Sequence, residues 1–221
     1  MSWESTVTYY QIANEIIKEK MGGFHSAKIL MYSVDFADYE KNMTESNWDN
    51  ITADLTQAAK NLEKAGADFI LVCTNTMHKV VPQIQTQISV PIIHIAEATA
   101  EVLKQNHISK VALLGTKYTM TQDFYRDKLT EAGIEVLIPD DENVEVVNDI
   151  IFNELCLGKV IDKSREKYSE IINDLGKKGA QGVILGCTEI GLLIQQKDST
   201  LPVFHTTLIH AAKAAALAME E

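Results

Sequence analysis

Two stretches half a chain apart carry the same order of elements. One reads Gly66-Ala67-Asp68-Phe69-Ile70-Leu71-Val72-Cys73-Thr74, and the other Gly179-Ala180-Gln181-Gly182-Val183-Ile184-Leu185-Gly186-Cys187-Thr188. Pro91-Ile92-Ile93-His94 follows the first, and Pro202-Val203-Phe204-His205 follows the second. Each copy spells a glycine that stops a helix, a strand, Cys-Thr, a helix, a second strand, His, and a further helix. A chain built this way is expected to fold as two similar α/β lobes, each presenting one thiol at the same place.

The rest of the sequence fits that frame. Runs expected to be strands cover residues 28–34, 68–73, 91–95, 110–115, 134–138, 182–186 and 202–204. Their nearly continuous apolar character is that of parallel strands with helices on both faces. Helices are expected over 5–21, 48–65, 121–132, 143–157 and 164–178, most of them ending at glycine. The expected fold class is α/β, two lobes with mostly parallel sheets flanked by helices and an active site in the cleft between them. Lobe one is assigned residues 1–97 plus 205–221, and lobe two residues 98–204.

Composition narrows the function classes. Twenty Lys+Arg against 31 Asp+Glu leave a formal charge of −11, and the pI is near 5.0. A general nucleic-acid or anionic-membrane binder needs a basic face, so neither partner is expected. No run of about 18 apolar residues is present to span a membrane. The opening Met1-Ser2-Trp3-Glu4 is not a secretory signal, and Cys73, Cys156 and Cys187 form no paired framework, so a reduced, cytoplasmic protein is expected.

The paired cysteines carry the chemistry. Ligands in open α/β sheets bind off the carboxyl ends of the strands, where both thiols are expected. The Thr after each Cys is read as a helix cap, and the start of a helix favours thiolate. Two thiols on opposite sides of one small ligand suit removal of a proton from one face of a carbon and delivery to the other, which is racemisation. Cys156, within a helical run, is read as core. His94 and His205 are read as structural strand-end residues. His78 either lines the cleft edge or packs. A zinc site from Cys73, His78 and His94 lacks a closed ligand set and is rejected, so no metal is expected.

Val72-Cys73-Thr74-Asn75-Thr76-Met77-His78-Lys79 and Leu185-Gly186-Cys187-Thr188-Glu189-Ile190 resemble the two signature blocks of the aspartate/glutamate racemase family. The opening Met1-Ser2-Trp3-Glu4-Ser5-Thr6 and Glu154-Leu155-Cys156-Leu157-Gly158-Lys159 are similar as well. The resemblance implies an amino-acid racemase acting on aspartate or glutamate, independent of pyridoxal phosphate or any other cofactor, and often a homodimer. It implies Cys73 and Cys187 as the acid/base pair. It places Thr74, Asn75 and Thr76 at the substrate α-carboxylate, with Thr188 beside the second thiol and Ser2 hydrogen-bonding the ligand. Glu189 either orients the substrate ammonium, tunes Cys187, or offsets the helix dipole. Lys159 is either a clamp for a side-chain carboxylate or a solvated lysine.

The chain also departs from the family. Relatives carry an Ile-Gly-Leu-x-Gly-Gly strand before the segment matching Met1-Ser2-Trp3, so this chain is expected to lack its first strand, with an upstream in-frame stretch left out. The region after residues 28–34 offers Lys41 where some relatives place an Arg for the distal carboxylate. His205 stands where relatives often have Asp. Alternative readings are a broad-specificity amino-acid racemase, a diacid decarboxylase or isomerase of the same fold, and a non-catalytic binder of small acids.

Overall fold

The computed structural model describes residues 1–220. Its main sheet has four parallel strands in the order β4-β3-β5-β6: β3 is Lys110–Gly115, β4 Glu135–Leu137, β5 Val183–Gly186 and β6 Val203–His205. Period-two alternation splits the strand side chains between two cores. Ala112, Leu114, Val183 and Leu185 face α8 (Asp141–Asn153) and α9 (Asp162–Lys177). Val111, Leu113, Ile184 and Phe204 face α5 (Ile95–Gln105) and α7 (Asp123–Glu131). Covered on both faces, these strands read as unbroken apolar runs.

The carboxyl ends of β3 and β5 close on each other through two glycines in register, Gly115 and Gly186. A Cβ on Gly115 would stand 2.7 Å from the Gly186 carbonyl oxygen, and one on Gly186 would stand 2.8 Å from Leu113 Cδ1. Backbone cannot yield as a flexible side chain does, so Gly115→Ala is expected to cost roughly 1–3 kcal/mol. Chemical denaturation checks this; an unchanged midpoint contradicts the close approach.

The second sheet has two parallel strands, β1 (Ile70–Leu71) and β2 (Ile92–Ile93). Beneath it pack Tyr39 and Met43 of α2 (Phe36–Thr44), Ile51, Leu55 and Ala59 of α3 (Trp48–Lys64), and Met77, Val80 and Ile84. The last three lie on a 3₁₀ turn, Thr76–Val80, and on α4 (Val81–Gln85). Helices α1 (Trp3–Met21) and α11 (Thr206–Leu217) pack on each other, and α11 also packs on α5. The boundary expected at residue 97 thus falls within α5, whose side chains belong to the core of the four-stranded sheet.

Several expectations need correction. Residues 28–34 form no strand and carry no regular secondary structure. Ile29, Leu30, Met31 and Tyr32 stay 41–50% exposed, and among the described strands none pairs with this segment. The helix expected over 121–132 is α7, Asp123–Glu131, and a separate short helix without a sequence expectation, α6 (Lys117–Thr121), precedes it. Helix α8 is capped by Asp140, which accepts from Asn143 N at 2.9 Å, rather than by Asn143. The helices expected after each Cys-Thr are present but short, as the 3₁₀ turn with α4 and as α10 (Ile190–Leu193), while α2 had no sequence expectation.

Candidate active site

A small pocket opens where the carboxyl ends of β1, β3 and β5 meet. One wall is the segment Thr74, Asn75, Thr76 and Met77, just after β1. A second wall is Gly186, Cys187 and Glu189, at and just after the end of β5, with Thr116 after β3. Phe36, Met43, Ile151, Phe152 and Cys156 close the remaining side, and Met1 lies at the edge. The switch from buried strand to turn sets both Cys-containing segments at the strand ends, as expected for an α/β sheet.

Glu189 organises the β5 wall. It is buried, accepts from Ser2 Oγ at 2.6 Å on Oε1, and accepts on Oε2 from Cys187 Sγ at 3.0 Å and Thr188 Oγ1 at 2.7 Å. Burial opposes its ionisation, but the Met1 ammonium and the Ser2, Cys187 and Thr188 hydrogen bonds outweigh that, holding it down at about 2. Ser2 also caps α1, accepting from Ser5 N at 3.3 Å, which ties the chain start to the β5 wall.

The thiols differ from expectation in two ways. Cys187 lines the pocket, but the thiol of Cys73 turns back to donate to the Leu71 carbonyl at 3.8 Å. Neither thiol is acidified. Burial pushes Cys73 up to about 11, and burial followed by the Glu189 charge pushes Cys187 well above an ordinary thiol. Helix α10 and the 3₁₀ turn are too short to supply a strong dipole, so desolvation wins. The threonines do not cap: Asn75 and Glu189 occupy the cap positions without side-chain cap bonds, and Thr188 spends its hydroxyl on Glu189.

Other expected residues fall out as follows. Asn75 is buried; its Nδ2 donates to Thr206 Oγ1 at 3.1 Å, while its Oδ1 is a buried acceptor with no partner. Thr76 Oγ1 lies 2.9 Å from Thr116 Oγ1. Lys159 is exposed and outside the pocket lining. Cys156, read as core from its helical run, lines the pocket on the 3₁₀ turn Leu155–Leu157, where burial and the Glu189 charge push it up to about 12. Only its place in the Glu154–Lys159 block hinted at that. The apolar wall from Phe36, Met43 and Phe152 had no sequence signal. Among the described residues no His, Cys, Asp and Glu cluster could hold a metal ion, and no helix is long and apolar enough to cross a membrane.

Behind the β1 wall sit His78, His94 and His210, with ring centroids 4.5 Å apart for His78–His94 and 5.9 Å for His78–His210. Burial drives His78 far below the ordinary imidazole value of 6.5, and drives His94 and His210 down to about 4. The unfolded chain therefore binds more protons between about 4 and 6.5, and stability falls as pH drops through that window. The full loss is roughly 3 kcal/mol for each of His94 and His210. A melting temperature that stays flat from pH 7 to 4.5 contradicts this.

The Asp/Glu/Hydantoin racemase family model matches residues 1–214. A crystal structure assigned to an Asp/Glu racemase of Yersinia pestis superposes with TM-score 0.91 at 50% identity, covering 99% of this chain and 96% of that one. An aspartate racemase homologue from Pyrococcus horikoshii superposes with TM-score 0.84 at 40% identity, covering 98% and 94%. The broad specificity amino-acid racemase RacX of Bacillus subtilis is 26% identical over 159 residues, 72% of this chain and 68% of that protein. With its parallel α/β sheets and its thiol-lined pocket at the strand ends, the chain belongs to the Asp/Glu/hydantoin racemase family and is an isomerase acting on amino acids.

Proposed function

We propose that the protein interconverts the L and D forms of aspartate and/or glutamate by two-base proton transfer, with Cys73 and Cys187 as the pair. One thiolate takes the Cα proton; an S–H bond forms and the C–H pair passes into the carboxylate. The thiol on the opposite side then gives its proton to the other face of Cα and is left as thiolate. The observation that supports this reading is the pocket lining, which brings together Cys187 and the Thr74–Thr76 segment that follows Cys73. Thr74, Asn75 and Thr76 take the α-carboxylate. The unpartnered Asn75 Oδ1 suits the substrate ammonium. Thr188 and Ser2 act through Glu189. No pyridoxal phosphate is required, because the transferred charge is held by the carboxylate and its donors. Conversion of L-aspartate and L-glutamate, followed by chiral chromatography, tests the reading; a mixture that stays L contradicts it.

A broader substrate range is favoured by one observation. Beside the polar Thr116, Cys187 and Glu189, the lining includes the apolar side chains of Phe36, Met43, Met77, Ile151 and Phe152, and among the described residues no Lys or Arg lines it. Such a wall accepts an apolar side chain without a desolvation cost. L-methionine and L-leucine are then turned over at rates at least equal to L-aspartate under the same conditions; turnover of the acidic amino acids alone excludes this range.

The protein acts as a cytoplasmic homodimer. The three free cysteines suit a reducing compartment. Trp3, Val7 and Tyr10, 53–70% exposed, share one face of α1 by helical spacing. Leu157, Val160 and Ile161 are exposed on the turn whose Gly158 lies beside Glu4. Val7→Glu on this face is expected to shift the sedimenting species from dimer to monomer; a wild-type protein that sediments as monomer at micromolar concentration contradicts the dimer.

A further inference from the structure

His78 is 1% exposed and makes two hydrogen bonds of opposite sense. Its Nε2 lies 3.1 Å from the backbone N–H of Ile95, which can only donate. The ring proton must therefore sit on Nδ1, which donates to the Thr74 carbonyl at 2.8 Å. A second chain reaches the same corner. Tyr9 Oη donates to His210 Nδ1 at 2.9 Å, and His210 Nε2 donates to the Ile93 carbonyl at 2.7 Å. His94 lies between these two anchor points and accepts from Ala96 N at 3.2 Å, packing its ring against His78. The end of β2 is thus pinned on both sides, and His78 is held from that fixed point.

What His78 holds is the peptide that follows Thr74. In a trans peptide the C=O and the next N–H point in opposite directions. With the Thr74 carbonyl turned to His78, the Asn75 N–H is turned away from it. Thr74, Asn75 and Thr76 all line the pocket, and Asn75 carries the unpartnered buried oxygen. Losing the clamp frees that peptide to rotate, and Cys73 is bonded directly to Thr74.

We propose that His78 is a positioning residue, whose Nδ1–H bond to the Thr74 carbonyl orients the Thr74–Asn75 peptide toward the substrate α-carboxylate and sets the direction of the Cys73 thiol, the Ile95 bond serving to fix the ring tautomer. This rests on the assignment of Thr74–Thr76 to the carboxylate and of Cys73 to proton transfer. Two near-isosteric variants separate the clamp from simple space filling. In His78→Asn the amide nitrogen overlies Nδ1 and donates to Thr74, while Ile95 N–H loses its partner. In His78→Gln the terminal amide oxygen overlies Nε2 and accepts from Ile95, while the Thr74 carbonyl is released.

Both variants are measured as full chains for KM, kcat, and the rate of iodoacetamide modification at Cys73 and Cys187, resolved by peptide mass. The expected result is that His78→Gln raises KM at least tenfold and changes the Cys73 modification rate at least fivefold, with Cys187 moving less than twofold. His78→Asn keeps KM within threefold of wild type. Equal impairment of the two variants, or a Gln variant with wild-type KM and Cys73 reactivity, overturns the proposal. Should neither variant fold, ¹⁵N shifts of His78 in the wild-type protein decide: a protonated Nδ1 supports the clamp and a protonated Nε2 refutes it. The modification and ¹⁵N readouts need no turnover, so a protein that racemises no amino acid fails the racemase reading without deciding the fate of His78.

Discussion

Replacing Cys187 by alanine is expected to reduce racemisation at least about 100-fold, the scale of a lost acid/base group, and Cys73→Ala is expected to do the same. The two losses differ by substrate hand. Each thiol serves one face of Cα, so each variant blocks proton removal from one enantiomer and the proton delivery that forms that same enantiomer. The resting state adds a constraint. Burial keeps both thiols protonated, Cys73 near 11 and Cys187 higher still. Turnover needs one thiolate, so the bound ammonium must offset the desolvation that disfavours it. The Cys73 thiol, which donates to the Leu71 carbonyl, must also rotate away before it can act. Initial rates from pure L and pure D substrate check the pair; a Cys187→Ala protein that racemises at the wild-type rate removes the two-base account.

Glu189 is expected to produce the second-largest effect. Glu189→Ala leaves Ser2 Oγ, Thr188 Oγ1 and Cys187 Sγ without their shared acceptor. Each buried donor stranded in this way costs on the order of 1–3 kcal/mol, a large part of a typical ~5–15 kcal/mol stability. Glu189→Gln keeps an acceptor but removes the charge. Since that charge helps push the Cys187 thiol up, the Gln variant lowers its pKa and moves the pH–rate profile to more acidic values. Acid acts on the carboxylate itself. The folded group sits at about 2 against an ordinary 4.5, so the stabilisation is complete above 4.5 and is lost as pH falls towards 2. The amount is on the order of 3 kcal/mol. An unshifted pH profile in Glu189→Gln contradicts the electrostatic link.

Those residues also show what the sequence made legible. Strands β3 and β5 are readable because both of their faces are buried, which leaves apolar runs. The repeat is readable because the strand–Cys–Thr order is local. Residues 28–34 carry the same β-branched signal, yet a strand exists only when a neighbour completes its ladder, and that information lies elsewhere in the chain. The direction of the thiol pKa shifts was misread for a similar reason. Helix starts are visible in a sequence, but the depth of burial that overrides them is not. Glu189 was visible as an acid after Cys187-Thr188, while its bond to Ser2, across nearly the whole chain, came only with the tertiary structure. The apolar pocket wall joins α2, α8 and the 3₁₀ turn after it, which no local motif connects.

The central claim, proton transfer by two separate bases, is tested most directly by early-time turnover of an L-amino acid in heavy water. The two-thiol account predicts that the D product forms with one solvent deuteron at Cα while the remaining L substrate stays protiated. Deuterium entering the unreacted L substrate as fast as it enters the D product would show a single base serving both faces, and would contradict the account.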